Sequence, residues 1–293
     1  MSTTIKGHRH RAAVEGTNMA GMTIPEMKEM ARKCRIEICK MTHRAQAGHP
    51  GGSLSEIDIL CGLYGHRLRV KPNDPDWEDR DRFILSKGHA SPGMYAVLAE
   101  MGFISHEDLK SYRVKGGVCQ GHVDMKWCPG VDFSAGSLGM GLSFGMGCAG
   151  AAKLDASTRN AYVMVGDGEI QEGSIWEAAM AAAHHELGNL KLFVDCNRIQ
   201  NDDFCEAQMR MFDIPAKWAS FGWAVKEIDG HDMDSIIDAI DWMDTIQDRP
   251  AVVIANTVKG KGVSFMEDNP AFHGAAPSDE QLEIALSELE VVA

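Results

Sequence analysis

Two short apolar runs, each leading at once to a polar residue with a side-chain oxygen, constrain the fold of this 293-residue chain most strongly. AYVMV (161–165) precedes Gly166-Asp167-Gly168, and LKLFVDCN (190–197) ends in Asn197. Apolar residues recur between the runs at helical spacing, so the runs are predicted to be buried parallel strands joined by a helix. Further strands are expected in WAVKEIDG (223–230) and AVVIANT (251–257). The predicted fold class is α/β, with a central, mostly parallel sheet and helices on both faces.

The first third of the chain is predicted to be mostly helical. Thr23 and Glu26 have the spacing of a capping box that opens a helix to about Met41. Three further helices are expected to open at Ser53, Ser91 and Ser105. Residues 1–22 show no periodicity and are assigned to an N-terminal tail. Residues 23–293 are expected to form one domain, because no repeat or low-complexity linker divides them.

Composition excludes several classes of partner. The 29 Lys and Arg against 42 Asp and Glu give a net charge of -13, which opposes nonspecific contact with nucleic acid or anionic membrane. No apolar run approaches the roughly 20 residues of a bilayer span, and no apolar segment of a secretory signal follows the basic N-terminus. The eight cysteines include no C-x-x-C pair and are expected to be buried thiols in a reducing compartment. A soluble, cytoplasmic protein without nucleic-acid or membrane partners is therefore predicted.

Asp167 and Asn197 follow neighbouring predicted strands and are 30 positions apart, which fits one crossover. Because parallel strands end at the same edge of a sheet, the two side chains are expected to stand side by side there. Their oxygens, with a backbone carbonyl near Ile199, would suit Mg²⁺ bridging to a diphosphate. The alternative, in which Asp167 caps a helix and Asn197 makes a turn, stays open from spacing alone.

A glycine pattern offers a competing interpretation. Gly145, Gly147 and Gly150 match G-x-G-x-x-G, and Asp167 lies 17 positions beyond Gly150, near the interval of a ribose-binding acid. That fingerprint should follow a strand, whereas here it follows SAGSLGMGLSF. A nicotinamide or flavin site is therefore disfavoured.

Four of the 12 histidines stand beside glycine in loop-like segments: His49, His89, His122 and His273. A lone histidine is more often packed or solvated than catalytic. Four in similar contexts favour convergence on a ligand, because imidazole moves protons near neutral pH and bonds phosphate or hydroxyl oxygens.

The order of seven motifs resembles the thiamine-diphosphate-binding N-terminal half of transketolase, over about residues 23–285. The motifs are AGHPGGSLSE, RFILSKGHASPGMYAVL, GHV, SAGSLGMGLS, GDGEIQEGSIWEA, DCNRIQ and VKGKGVSFMEDNPAFHGAAP. The resemblance implies thiamine diphosphate and Mg²⁺ as cofactors. It also implies the thiamine-diphosphate-binding fold.

The resemblance further implies roles at individual positions. Mg²⁺ would be held by Asp167, Asn197 and the carbonyl of Ile199. The diphosphate end would be contacted by Lys87, His89, Gly168, Lys259 and His273. Gly136, Ser137 and Leu138 would line the cofactor's rings, and His49, His122 and His273 would face the sugar and move protons. Glu172 matches a buried acid near a subunit boundary, and Gly52 stands where some relatives have a side chain that touches the cofactor.

A full transketolase is similar to this chain plus a pyrimidine-binding domain and a C-terminal domain, which cannot fit after residue 285. The resemblance therefore implies a partner chain that supplies both domains and the glutamate that activates the cofactor. The expected assembly has two of each chain and transfers a two-carbon ketol unit from a ketose phosphate to an aldose or its phosphate.

Two alternative functions compete with this one. The chain could be the alpha subunit of a two-component thiamine-diphosphate 2-oxo-acid dehydrogenase, but the GHPGG, SKGH and FHGAAP motifs count against that class. It could also be a cofactor-binding module without turnover. The intact His49, His122 and His273 argue against such a module, which would have no need of them.

Overall fold

A computed structural model describes residues 21–290 of the chain. Its helices are α1 (Ile24–Ala45), α2 (Pro50–Gly62), α3 (Ser91–Glu100), α4 (Met140–Leu154), α5 (Gly173–His184), α6 (Cys205–Gln208), α7 (Ile214–Ser220), α8 (Met233–Thr245) and α9 (Asp279–Glu290). Its strands are β1 (Arg82–Leu85), β2 (Ala161–Gly166), β3 (Leu190–Cys196), β4 (Ile199–Gln200), β5 (Asp203–Phe204), β6 (Ala224–Asp229) and β7 (Ala251–Asn256).

Five of the strands form one parallel sheet in the order β1-β2-β3-β7-β6, which confirms the predicted fold class. Alternate residues of each strand enter two separate cores. Tyr162 and Met164 of β2 face the core built by α1, α2, α3 and α8, whereas Val163 and Val165 face the core built by α4, α5 and α7. Because both faces are covered, the central strands β2, β3 and β7 are mostly apolar rather than alternating, whereas the edge strand β6 is only partly buried and carries charged residues. The short pair β4-β5 is a separate antiparallel hairpin.

Of the four predicted helix starts, those at Thr23 and Ser91 are confirmed, and those at Ser53 and Ser105 are wrong. At α1, Thr23 and Glu26 form the capping box, and the helix runs to Ala45 rather than Met41. The start predicted at Ser53 is wrong, because Pro50 occupies the first turn of α2 and Ser53 donates back to the His49 carbonyl from inside the helix.

The start at Ser91 is confirmed, with a proline in the first turn of α3. At Ser105 the hydrogen bonds with Asp108 form as expected. They introduce only a short 3₁₀ turn over Asp108–Ser111, so the predicted fourth helix is wrong.

Two elements of the sheet's environment were not predicted. β1 lies in RFILSKGH, where the apolar run is too short to distinguish from part of a helix. α4 contains the glycines of the G-x-G-x-x-G pattern inside a helix. A Cβ on Gly145 would lie 2.4 Å from Val163, so this glycine permits close packing of α4 on β2, and the dinucleotide interpretation has no strand-to-helix turn to rest on.

Residues 1–20 of the predicted tail lie outside the described residues, as do the last three. Gly21 and Met22, which were assigned to the tail, both donate their backbone N–H to the carbonyl of Gly65. All eight cysteines lie within the described residues as thiols outside any disulfide, and six of them are buried. Within residues 21–290, none of the helices combines the length and apolar character needed to cross a bilayer.

Candidate active site

A cavity of about 360 Å³ opens at the edge of the sheet where the parallel strands end. The side chains and backbone that line it come from the start of α2, the loop after β1, the segment between α3 and α4, the segments that follow β2 and β3, and the turns after β7. All the predicted site residues except Ser137 line it, namely His49, Gly52, Lys87, His89, His122, Gly136, Leu138, Asp167, Gly168, Glu172, Asn197, Ile199, Lys259 and His273.

The carboxylate of Asp167 is buried directly after β2. Its Oδ1 accepts the N–H of Gly168 at 2.9 Å, and its Oδ2 accepts the N–H of Arg198 at 2.6 Å. Burial and the neighbouring Asp195 raise the pKa of Asp167 to about 6. A carboxylate in this position gains from a bound cation, because a cation favours its charged form.

Asn197 and Ile199 bring two more oxygens to the same segment. The Nδ2 of Asn197 donates to Asp195 at 2.8 Å, which fixes the orientation of the amide, and its Oδ1 accepts the N–H of Ile199 at 3.2 Å. The carboxylate, amide and carbonyl oxygens are of the type that Mg²⁺ prefers. Asn197 also makes the turn considered from the sequence, by accepting the N–H of Ile199, whereas the helix-capping role considered for Asp167 is wrong, because α5 follows Glu172 and Asp167 accepts N–H groups of Gly168 and Arg198 instead. Over residues 21–290, no group of three or more His, Cys, Asp or Glu is arranged to hold a metal ion.

A buried ionic cluster lies beneath these ligands. The Lys87 ammonium donates to the Gly52 carbonyl at 3.0 Å and pairs with Asp195 at 2.5 Å and with Glu56 at 2.9 Å. Asp195 also accepts hydrogen bonds from the hydroxyls of Ser55 and Thr257. The three N–H groups of Lys87 are thus all engaged within the chain.

The three ionisable groups of this cluster differ in their protonation at neutral pH. Burial raises the pKa of Glu56 to about 8, although Lys87 opposes the shift. Burial alone would lower the pKa of Lys87. The neighbouring Asp195 and Glu56 outweigh this effect and hold the pKa of Lys87 above its usual value. Lys87 and Asp195 therefore form the charged pair at neutral pH, with Glu56 largely protonated.

A second buried acid, Glu169, ties the start of α4 to the end of β2. It accepts the hydroxyl of Ser86 and the backbone N–H groups of Gly139 at 2.9 Å and Gly166 at 3.1 Å. Glu169, in the turn after β2, therefore anchors the end of the loop that carries Gly136 and Leu138, at Gly139.

Lys259 connects the predicted metal ligands to a histidine. Its Nζ donates to the Ile199 carbonyl at 2.8 Å and lies 2.6 Å from Nδ1 of His273. Burial and the nearby Lys87 lower the pKa of Lys259 to about 8. Because the ammonium donates to Nδ1, the neutral His273 ring carries its proton on Nε2.

The four glycine-flanked histidines lie together at the cavity wall. The ring centre of His49 is 5.0 Å from that of His89, 5.3 Å from that of His273 and 6.4 Å from that of His122. His89 and His273 are 5.5 Å apart. The structure thus brings together all four residues that the sequence singled out.

These imidazoles are held in the neutral form. Burial, followed by His122 and Arg113, lowers the pKa of His49 to about 4, and burial with Lys259 lowers the pKa of His273 to about 3. The pKa values of His89 and His122 are lowered too, again chiefly by burial. The Nδ1 of His49 is buried and has no hydrogen-bond partner among the described residues, as expected for an atom that faces a ligand.

The remaining predicted residues form the rim. Gly136 and Leu138 line the cavity, while Ser137 between them is exposed and does not. Glu172 lines the cavity but is exposed, so its expected burial would require another chain. Gly139 has a φ of +83°, and a Cβ there would lie 2.7 Å from Glu172, which explains glycine at the start of α4.

Sequence reasoning missed four polar residues that the structure places in or beneath the site. Asp195 and Glu56 pair with Lys87, Glu169 anchors the loop before α4, and Arg113 contributes to lowering the pKa of both His49 and His122. Asp195 and Glu169 each stand two residues from a predicted ligand, which could have marked them. Glu56 and Arg113 carried no comparable pattern.

Comparison with known proteins places this site in a family. The profile described as "Transketolase, thiamine diphosphate binding domain" matches residues 26–290. The chain is 40% identical over 243 residues to a 6-deoxy-6-sulfo-D-fructose transketolase subunit of Clostridium sp. strain MSTE9, covering 83% of this chain and 88% of that protein. It is 39% identical over 268 residues to an apulose-4-phosphate transketolase subunit of Phocaeicola vulgatus, covering 92% of this chain and 95% of that protein.

A solved structure extends the likeness to the whole fold. Transketolase from Campylobacter jejuni superposes with a TM-score of 0.86 at 32% identity, covering 92% of this chain but 43% of that one. The chain therefore spans less than half the length of that enzyme, while it matches nearly the full length of the two relatives named as subunits.

Proposed function

The chain belongs to the transketolase family, and we propose that it works as the N-terminal subunit of a two-chain transketolase that moves a two-carbon ketol unit from a ketose phosphate to an aldose or its phosphate. The observation that carries the proposal is the single cavity in which oxygen ligands at the ends of β2 and β3 meet four neutral histidines. The relatives named as transketolase subunits support the division between two chains.

The residues present fit thiamine diphosphate and Mg²⁺. Asp167, the Asn197 amide oxygen and the Ile199 carbonyl would hold the metal, and Lys259 would turn its ammonium to the diphosphate. The raised pKa of Asp167 and the unpartnered Nδ1 of His49 support a ligand that carries both a cation and hydrogen-bonding groups. Bound thiamine diphosphate supplies a nucleophilic carbon and an electron sink for breaking and making the ketose carbon–carbon bond.

This chain's own residues would bind, orient and move protons. Lys87 cannot donate to the diphosphate without giving up a present partner, so it would act by fixing the Gly52 carbonyl and adding positive charge beneath the cavity. The Nε2–H of His273 would donate to a sugar oxygen, and His49 and His122, as neutral rings, would accept or return protons at the hydroxyl groups.

A protein partner is supported by the surface beside the cavity. Leu138, Met140 and Phe144 are exposed apolar side chains close together in the sequence, and Leu138 also lines the cavity. Clustered exposed apolar residues mark interaction surfaces. The partner would cover this face, supply the glutamate that activates the cofactor's pyrimidine ring, and bury Glu172, in an assembly of two of each chain.

The two alternative functions predict different requirements. The GHPGG, SKGH and FHGAAP motifs count against a 2-oxo-acid dehydrogenase subunit, and the convergence of their histidines at one cavity supports ketol transfer. A module without turnover would tolerate loss of these rings. The cytoplasmic location expected from the sequence stays a prediction.

Reconstitution with the partner tests the proposal. The chain alone, with saturating Mg²⁺ and thiamine diphosphate and checked by mass spectrometry for contaminating partner, should not transfer a ketol unit. The complex should do so with a ketose that carries a phosphate, and a panel that includes sulfonated ketoses would define the donor. Sustained turnover by the chain alone would refute the two-chain proposal, and an inactive complex that binds cofactor would favour the module.

A further inference from the structure

A buried cluster of Arg35, Asp58 and His231 lies outside the cavity and joins three separate elements. Arg35 of α1 donates to both carboxylate oxygens of Asp58 on α2. The Nδ1 of His231, in the turn after β6, lies 2.8 Å from Oδ2 of Asp58. Asp58 is 7% exposed, and although burial opposes it, Arg35 and His231 hold its pKa below the usual value. Nothing proposed above uses these three residues.

Both outer members of the cluster also bind the backbone that carries Lys259. The Nε2 of His231 accepts the N–H of Val258 at 2.8 Å. The Nε–H of Arg35 donates to the carbonyl of Lys261 at 3.1 Å. The cluster therefore grips the chain one residue before and two residues after Lys259.

The turn itself needs such support. Gly260 and Gly262 have φ values of +82° and +93°, and a Cβ on Gly262 would lie 3.1 Å from Cδ of Arg35. Glycine lets this turn pack closely on Arg35, but glycine also leaves the backbone free to adopt other conformations. Backbone hydrogen bonds from Gly260 to Gly51 and from Asp268 to Lys259 hold part of the turn, and the side chains of Arg35 and His231 add contacts at its two ends.

The charge of Asp58 determines which atoms face the turn. Asp58 accepts a hydrogen bond from Nδ1–H of His231, which leaves Nε2 with the lone pair that the Val258 N–H requires. It also holds two N–H groups of Arg35, which leaves Nε–H for Lys261. Loss of the carboxylate would release both contacts to the turn together.

We propose that Arg35, Asp58 and His231 are positioning residues that fix residues 258–261 so that the Lys259 ammonium lies beside His273 within reach of the diphosphate, and that they thereby set the affinity for the diphosphate end of the cofactor. The inference rests on the proposed function for its ligand, thiamine diphosphate with Mg²⁺. Its geometric part, the fixing of residues 258–261, rests only on the contacts of the chain itself.

A double-mutant cycle in the reconstituted complex tests the inference. Asp58→Asn should weaken thiamine diphosphate binding, measured by calorimetry at saturating Mg²⁺, by about tenfold to a hundredfold, as loss of a supporting contact does at other ligand sites. In a Lys259→Met background, Asp58→Asn should change the affinity less than about threefold, because the residue it positions is gone. Equal weakening in both backgrounds would mean a general structural role and overturn the inference.

A matched control and a second variant keep the test decisive. Asp81→Asn removes another buried carboxylate paired with an arginine, at the opposite end of β1 from the cavity, and should leave cofactor affinity unchanged. Arg35→Lys keeps a positive charge beside Asp58 but loses the guanidinium donor to Lys261. It should weaken binding less than Asp58→Asn does, and again only when Lys259 is present.

Hydrogen exchange on the chain without cofactor separates this inference from the proposed function. In Asp58→Asn, but not in Asp81→Asn, the amide of Val258 should exchange at least about tenfold faster, because its acceptor His231 loses the carboxylate that holds the ring in place. Unchanged exchange at residues 258–262 would overturn the inference even if the complex binds cofactor. Failure of the parent complex to bind thiamine diphosphate would instead refute the proposed function.

Discussion

The floor and the wall of the cavity differ in how completely their polar groups are paired within the chain. The floor consists of Glu56, Lys87, Asp167, Asp195 and Asn197, whose polar groups are bonded or ion-paired within the chain, except that Oε1 of Glu56 has no hydrogen-bond partner among the described residues. The wall consists of the rings of His49, His89, His122 and His273, which touch one another and leave His49 Nδ1 without a partner among the described residues. The charges of the floor are therefore mostly paired without a ligand, whereas the wall keeps an unpaired ring nitrogen.

The difference teaches how binding and proton transfer are divided. A buried charge is tolerable only when it is paired, so the floor is fixed by its own electrostatics and can offer pre-oriented oxygens to a cation. Neutral imidazoles can remain partly unpaired at lower cost, and their lowered pKa values keep them neutral at pH 7. Changes in the floor should therefore act on affinity, and changes in the wall should act on turnover.

The largest effect is expected from the floor. Asp167→Ala removes the charged oxygen ligand and should weaken Mg²⁺-dependent thiamine diphosphate binding by at least about a hundredfold, measured by calorimetry in the reconstituted complex. The fold should survive, because the side chain serves a loop at the edge of the sheet rather than either core.

Asp203→Ala is a suitable control for this change, because Asp203 is an exposed acid on the nearby β4-β5 hairpin. It should bind cofactor like the parent. If Asp167→Ala also bound thiamine diphosphate and Mg²⁺ like the parent, the assignment of the metal to the floor would be wrong.

The wall should respond differently. His273→Ala should reduce kcat by about a hundredfold, as loss of a group that transfers protons does, while cofactor affinity falls less than about tenfold. The measurement is steady-state kinetics at saturating thiamine diphosphate, beside calorimetry on the same protein. A kcat equal to the parent's at saturating cofactor, with only the affinity weakened, would reduce His273 to an anchor and place it functionally with the floor.

The ligands at the strand ends were predictable because they depend on local order along the chain. Asp167 and Asn197 directly follow apolar strands, and parallel pairing of β2 with β3 is enough to bring them together. The loop histidines could be selected by their glycine neighbours. Their mutual distances could not, because they come from four separate segments whose approach depends on the packing of α2 and α3.

The pairings beneath the site could not be predicted at all. Lys87 meets Asp195 across 108 positions, and Asp58 meets His231 across 173. No periodicity or spacing records such contacts, and a buried ionic residue looks like a surface residue in a sequence. The wrong helix start at Ser53 has a related cause, since its capping pattern was outcompeted by Pro50 and by a hydrogen bond inside the helix.

Acid–base behaviour of the floor gives a smaller, measurable effect on stability. Burial raises the pKa of Glu56 to about 8 from a usual value of 4.5, so the folded state holds more protons between these values and the free energy of unfolding falls as pH rises. Glu56→Gln removes this contribution. Since one pKa unit corresponds to about 1.4 kcal/mol, the parent should lose at least about 1 kcal/mol more than the variant between about pH 5 and pH 8.

Urea denaturation of the chain without cofactor at a series of pH values provides the measurement. A matched variant, Glu37→Gln, changes a glutamate on α1 that is not part of the floor and controls for the loss of a carboxylate as such. Parallel curves for Glu56→Gln and the parent would show that Glu56 is ionised at neutral pH, and the floor would then carry one more negative charge than the Lys87–Asp195 pair alone implies.

The smallest effect is expected where floor and wall meet, at two adjacent glycines of α2. A Cβ on Gly52 would lie 3.8 Å from Nε2 of His89 and 4.0 Å from Nζ of Lys87, which are ordinary contacts. Gly52→Ala should therefore change cofactor affinity by less than about threefold, and it should raise the free energy of unfolding by up to about 1 kcal/mol because alanine favours the helix.

A Cβ on Gly51 would instead lie 2.9 Å from the Phe272 carbonyl and 3.1 Å from the Lys259 side chain, so Gly51→Ala should destabilise the chain and weaken cofactor binding together. Thermal unfolding and calorimetry on the pair provide the comparison. If Gly52→Ala were the more damaging of the two, the cofactor would approach Gly52 more closely than the space beside His89 suggests, and the boundary between floor and wall would have to be redrawn around that glycine.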